Sequence, residues 1–217
     1  MSAAQPKARE RLRFPGVRAP RPMLPPKVEA QLTGRQREVL DELEALLVDE
    51  ELAELTMAQL AARLNCSLRT LYGISPSKDE LVLTVADRRL HRIGRAAIGS
   101  LDASLPPLEA VRVYLRAATE AVQPSLGGFA ASITGVPGGK HLVDSHEAYL
   151  VAVVRELLDR AVADASIAPV DTAAVAHVLG GLGQSFSHPG LNRGSARSAK
   201  ASADAVTDII LRGLEAS

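Results

Sequence analysis

Tryptophan is absent from this 217-residue chain, and phenylalanine and tyrosine bring the aromatic content to only 3%. The core must therefore be built from Leu, Val, Ala and Ile, which an apolar content of 47% supplies and which suits helices. There is one cysteine, Cys66, so an internal disulfide and any multi-cysteine metal site are excluded. Its surroundings favour a small buried hydrophobe over a reactive thiol. No apolar run approaches the ~18 residues of a membrane span. The N-terminus is charged but carries no apolar secretory core. A cytoplasmic chain with no membrane partner is the expectation. Strand-like alternation of useful length and internal repeats are both missing, which leaves an all-α fold.

Net charge is zero, but its distribution is uneven. Residues 1–32 hold seven Lys/Arg and two Asp/Glu, and residues 33–55 hold two and eight. Residues 56–100 hold seven and three, leaving nine and twelve for the rest. Positive charge therefore gathers in an N-terminal arm and in residues 56–100. Phosphate contact and ordinary solvated surface both account for that pattern.

The informative stretch runs from Thr56 to Leu81. Thr56 with Gln59 has capping-box spacing, and Met57, Leu60, Ala61 and Leu64 follow at helical spacing. Asn65 tolerates the left-handed conformation that a tight turn requires. Ser67 caps a second short helix from Leu68 to about Ile74, and Pro76 closes it. Ser77 with Glu80 opens a long helix to about Gly99. Two helices joined by about three residues make a helix-turn-helix, whose second helix fits a DNA major groove.

The segment from Cys66 to Leu81 resembles the DNA-binding signature of tetracycline-repressor (TetR) type regulators. Cys66, Ser67, Thr70, Leu71, Tyr72, Ser77, Lys78, Glu80 and Leu81 fit it. Gly73, Ile74 and Ser75 depart, because the usual aromatic cluster is missing. The resemblance covers residues 33–81, and beyond them it extends only to length and helical layout. It implies phosphate contacts for Tyr72 and Lys78, and a ligand pocket among the middle helices.

The residues themselves add detail. Arg69 reaches guanine edges bidentately. Thr70 suits a thymine methyl or a phosphate, and Leu71 belongs to the core. Lys78 lies in a first helical turn, where free N–H groups already favour an anion. Thr56 has two readings of equal weight, cap and phosphate ligand. Gly73 permits close backbone approach. The candidate DNA-contacting set is Thr56, Ser67, Leu68, Arg69, Thr70, Tyr72, Gly73 and Lys78.

Around this stretch, residues 1–30 carry six prolines and seven basic residues without periodicity, and are expected to form a disordered arm. The arm is either a solvated tail or a contact along DNA phosphates. Thr33 to about Glu51 is a helix with Val39, Leu40, Leu43, Leu46 and Leu47 inward. Its outer face carries Glu38, Asp41, Glu42 and Glu44, turned away from DNA or paired with Arg63 or with arginines of the 78–99 helix. Arg88, Arg92 and Arg95 read as a solvated basic face. Further helices are expected at 107–122, 124–133, 143–165, 171–187 and 201–214, about nine in all. The division is an arm (1–30), a three-helix helix-turn-helix domain (31–80) and a larger ligand-binding and dimerisation bundle (81–217).

A short recognition helix reads few base pairs alone, so a homodimer on a palindromic double-stranded operator is expected. Val175, Val178, Leu179, Leu182 and Phe186, with Ile209, Ile210 and Leu214, form the candidate interface. Gly180, Gly181 and Gly183 permit close helix approach there, and an intramolecular contact is the alternative. Tyr114, Phe129, His146 and Tyr149 are candidate linings of a mainly apolar pocket for a small-molecule effector of unknown identity, and ordinary core packing explains each as well.

No cofactor, metal or catalytic residue is expected. Residues 135–141 resemble a phosphate loop, but Thr134 and His141 hold the wrong places and no strand precedes them. Asp144, Ser145 and His146 are triad residue types whose adjacent helix positions do not face one another. His141, His146 and His177 lack a carboxylate or cysteine companion at metal-ligand spacing. The rival to a regulator is a dimeric small-molecule-binding protein of the same fold that no longer reads DNA specifically.

Overall fold

A computed structural model describes residues 12–49, 52–122, 133–187 and 198–215. Among them lie nine α-helices and no strand. They are α1 (Pro26–Glu29), α2 (Gly34–Asp49), α3 (Met57–Arg63), α4 (Leu68–Tyr72), α5 (Lys78–Gly99), α6 (Pro107–Val122), α7 (Gly139–Ala163), α8 (Thr172–Ser187) and α9 (Ala199–Glu215). A 3₁₀ turn at Leu52–Glu54 precedes α3.

Local chemistry sets the N-terminal helices. The Thr33 N–H donates to Gln36 Oε1 at 2.9 Å, and the Gln36 N–H returns to Thr33 Oγ1 at 3.2 Å, a reciprocal box at the start of α2. Thr56 and Gln59 repeat that box at α3. The Ser67 and Ser77 hydroxyls accept from the Thr70 and Glu80 N–H groups, opening α4 and α5. Asn65 takes a φ of +46° in the turn between α3 and α4.

Two hydrophobic cores result. The first gathers Val39, Leu40, Leu43 and Leu47 of α2, Leu60 of α3, Leu71 of α4 and the first turns of α5. Ile133, Val136 and Leu142 reach it from the start of α7 and the segment before it. The second is built by α6, α7, α8 and α9 around Tyr114, Val153, Val154, Leu157, Leu158 and Leu211. The α5 and α7 helices contribute to both, so the two cores share them as common walls.

Three differences from the expectations have physical causes. The arm is packed, not disordered, from residue 12 onward. Leu12, Phe14 and Val17 lie on the second core, and α1 follows from the φ that Pro25 and Pro26 impose. Residues 1–11 lie outside the described residues. Second, α7 begins at Gly139, four residues before the expected start. Gly138 turns the chain at φ +86°, and a Cβ on Gly139 would sit 1.8 Å from the Ile133 carbonyl oxygen. Two glycines thus permit an entry that the apolar spacing did not reveal. Third, Glu44 faces inward, only 3% exposed. Most of the expected helix at 124–133 lies outside the described residues.

Candidate nucleic-acid interface and the junction behind it

Helix α4 is held from below. Leu71 is fully buried in the first core, and Ile74 packs partly against it. That leaves the opposite face outward. Arg69 is exposed, Tyr72 is 52% exposed and Leu68 43% exposed. Thr70 is half-buried, its hydroxyl 2.9 Å from Ser67 Oγ. The Thr56 hydroxyl is engaged with Gln59 as a cap. Lys78 is half-buried in the first turn of α5.

A shallow groove of about 510 Å³ runs between α4 and the start of α2. Ser67, Arg69, Thr70, Tyr72 and Gly73 form one wall, and Thr33, Arg35 and Gln36 the other. Sequence reasoning missed the second wall, although the Thr33–Gln36 box marked it as a helix start. Arg35 is spoken for: Nη2 donates to the Leu64 carbonyl at 2.6 Å, and Nη1 meets Glu38 and Glu42 at 3.1 and 3.0 Å. It ties α2 to the turn of the helix-turn-helix. A Cβ on Gly73 would stand 2.5 Å from Gln36 Nε2, so the glycine lets the two walls approach.

The atypical Gly73-Ile74-Ser75 stretch now has a partial account. Ile74 is drawn into the core and Ser75 is 3% exposed, so neither faces the groove. The Ser75 hydroxyl is buried without a partner among the described residues, and nothing in the structure explains it. Cys66 is a free thiol packed against the first core, and burial raises its pKa, which keeps it in the inert thiol form.

Behind the interface, α5 is clamped on two sides. Toward α1 and α2, Arg88 donates to Glu29, Asp41 and Glu44 at 2.9, 2.6 and 3.2 Å, and Arg92 reaches Glu44 at 2.9 Å. The arginines at 88 and 92 are thus paired rather than a solvated face, and the acidic side of α2 meets the arginines of the long helix. Burial pushes the Glu44 carboxyl above its ordinary range despite the opposing pull of Arg92 and Arg88. Toward α7, His146 Nε2 lies 3.0 Å from Asp87 Oδ1, and the His91 and His146 rings meet edge-on at 4.8 Å. Asp87 Oδ2 accepts the Met23 N–H at 2.8 Å, which pins the N-terminal segment to the same point. His146 therefore has the carboxylate companion that sequence spacing did not reveal.

The other candidate ligand residues separate. Tyr114 is 1% exposed in the second core, and burial raises its phenol pKa strongly, with Tyr149 adding to the shift. Tyr149 is half-buried beside α5, its Cε1 3.7 Å from where a Gly94 Cβ would stand. Phe129 lies outside the described residues. The Asp144, Ser145 and His146 side chains go separate ways: to Lys140, to the His141 carbonyl and to Asp87.

The candidate dimer residues also divide. Leu179 is buried, and Val175, Leu182, Ile210 and Leu214 are half-buried against the second core. Val178 at 53% and Ile209 at 68% are exposed. A Cβ on Gly180 would stand 2.6 Å from Val151 Cγ2, so this glycine serves α8–α7 packing within the chain. Gly181 and Gly183 have nothing within 4 Å of that position. The side chain of Phe186 lies outside the described part of α8.

The described residues thus build a capped helix-turn-helix with a cationic, aromatic face, set on a larger helical bundle. The fold is that of the TetR family of transcriptional regulators. No family model matches the sequence, and no curated protein does either. Solved structures do. PfmR, a TetR family transcriptional regulator from Thermus thermophilus, is 24% identical over 82% of this chain and 98% of its own, with a TM-score of 0.60. A transcriptional regulator from Pseudomonas aeruginosa PAO1 is 18% identical over 87% and 94%, with a TM-score of 0.69. AibR in complex with isovaleryl coenzyme A and operator DNA is 16% identical over 81% and 97%, with a TM-score of 0.58. No helix among the described residues is long and apolar enough to cross a membrane.

Proposed function

We propose that the protein is a ligand-responsive transcriptional regulator, not an enzyme, that represses by binding a palindromic operator as a homodimer and is released by a small, mainly apolar effector. The observation that carries this is the orientation of α4. Its apolar residue Leu71 is fully buried, while Arg69 and Tyr72 project outward beside the start of α2. An anchored helix with a basic and an aromatic side chain outward suits a major groove, where a bidentate arginine on guanine discriminates by ~1–3 kcal/mol. The ligand-bound, operator-bound state of AibR supports the same logic for a chain of this fold.

Two copies would join through α8 and α9, where Val178 and Ile209 are exposed and a Cβ on Gly181 would meet open space, an apolar strip on this reading. The effector would act through α5 and α7, which belong to both cores and lead back to α4. Residues 31–80 would act as the reader and 81–217 as the ligand and dimerisation unit.

The test is selection of bound duplex from the source genome, followed by anisotropy titrations of the recovered site. The expected site has two half-sites about 34–36 Å apart. Arg69→Ala should lose ~1–3 kcal/mol of preference for that site and leave non-specific binding nearly intact. If only salt-sensitive, sequence-indifferent binding is recovered, the protein is instead a dimeric small-molecule-binding protein of this fold. The displaced Ile74 and buried Ser75, which withdraw two positions from the groove, are what favour that second reading.

A further inference from the structure

Helix α5 presents Asp87 and His91 one turn apart, and α7 brings His146 against them. Each offers one donor atom, and the three donors lie within 4.8 Å of one another. We infer that Asp87, His91 and His146 form a binding site for a divalent transition-metal ion of the zinc class, joining α5 to α7.

The distances fit. An ion with bonds of 2.0–2.1 Å to nitrogen and oxygen places neighbouring tetrahedral donors about 3.3 Å apart. Asp87 Oδ1 lies 3.0 Å from His146 Nε2 and 3.5 Å from His91 Nε2. The third edge, between the His91 and His146 donors, is no longer than 4.8 Å. A hydrogen bond alone satisfies His146 and Asp87, but it leaves His91 Nε2 buried with no hydrogen-bond partner among the described residues. An ion at the centre uses that nitrogen. The surroundings suit a ligand set: the Asp87 side chain is 3% exposed, His146 10% and His91 13%. The second Asp87 oxygen takes the Met23 N–H, the outer-shell bond that orients a ligating carboxylate.

Two imidazoles and one carboxylate select zinc, cobalt or nickel over magnesium or calcium, which require mostly oxygen. Three protein ligands leave a fourth position for water or for a donor atom of a small molecule. The ion would tie α5, α7 and the N-terminal segment together at one point.

The experiment is titration of chelator-treated full-length protein with Zn²⁺ by calorimetry and with Co²⁺ by visible absorption. One ion per chain is expected, with the intense d–d bands of four-coordinate cobalt. His91→Ala and His146→Ala should each weaken binding by more than the roughly 10–100-fold that loss of an outer-shell partner costs. His141→Ala and His177→Ala, at exposed histidines, should leave it unchanged. Should a ligand variant fold poorly by circular dichroism, Met23→Pro is the substitute. It keeps all three ligands, removes the N–H to Asp87 together with a partly exposed side chain, and should weaken binding by roughly 10–100-fold. Absence of stoichiometric binding, retention of it in H91A and H146A, or unchanged affinity in M23P would overturn the site. The titration uses protein alone, so its outcome is independent of any result with DNA.

Discussion

The two cores of this molecule are held by different means. The first is bounded by helix starts that carry their own caps: Thr33 with Gln36, Thr56 with Gln59, Ser67 and Ser77. Each cap acts within three residues of itself. The second is joined by contacts between distant segments. Arg112 of α6 pairs with Asp208 of α9 at 2.8 Å, and Arg160 of α7 donates to the Arg13 carbonyl at 2.7 Å with its guanidinium 5.1 Å from the Phe14 ring. Gly180 lets α8 close on Val151. The helix starts around the first core are thus set by local caps, with Arg88 and Arg92 of α5 adding long-range bonds to α1 and α2, and the second core is joined mainly by tertiary contacts.

The largest expected effect tests whether the cores are separate. Leu40→Ala in the first and Leu157→Ala in the second should each cost about 2–5 kcal/mol in urea unfolding. Because α5 and α7 serve both cores, each variant should still unfold in one transition. Two resolved transitions would divide the molecule at α5. Next come the paired glycines. Gly180→Ala forces a methyl onto Val151 and should destabilise by about 1–3 kcal/mol. Gly181→Ala meets open space and should gain up to about 1 kcal/mol in helix propensity within one chain. If the exposed strip is the dimer contact, Gly181→Ala should instead raise the dimer dissociation constant in sedimentation. The smallest effect is local. Thr56→Ala removes a cap worth about 1 kcal/mol, and it should lower hydrogen-exchange protection in α3 while leaving α8 and α9 unchanged.

The same contrast explains what could be read from the residues alone. The starts of α2, α3, α4 and α5 fall where Thr33, Thr56, Ser67 and Ser77 place them, because a cap and its partner lie together in the chain. Leu71 inward and Arg69 and Tyr72 outward followed from the same short helix. Features made by distant residues were not legible. Glu44 was assigned outward because it is charged, and only Arg88 and Arg92, more than forty residues on, explain its burial. The packing of residues 12–30 depends on partners such as Arg160 and Asp87 that no local pattern announces. Asp87 and His91 lie one turn apart on α5 but were not singled out, and His146 is 59 residues from Asp87. Looking for a carboxylate or cysteine near His141, His146 and His177 in the chain therefore missed Asp87.

The course of the N-terminal segment has a practical consequence. Leu12 lines a cavity with Ala103, Leu105 and Pro107, residues just beyond the far end of α5. That helix has 22 residues, which at 1.5 Å each puts Leu12 on the order of 30 Å from the end nearest α4. A tether attached ahead of Leu12 would enter the molecule at the end opposite its groove. Immobilising the protein by its amino end therefore leaves Arg69 and Tyr72 open to a duplex in solution, and makes that end the natural anchor for single-molecule or surface-based measurements.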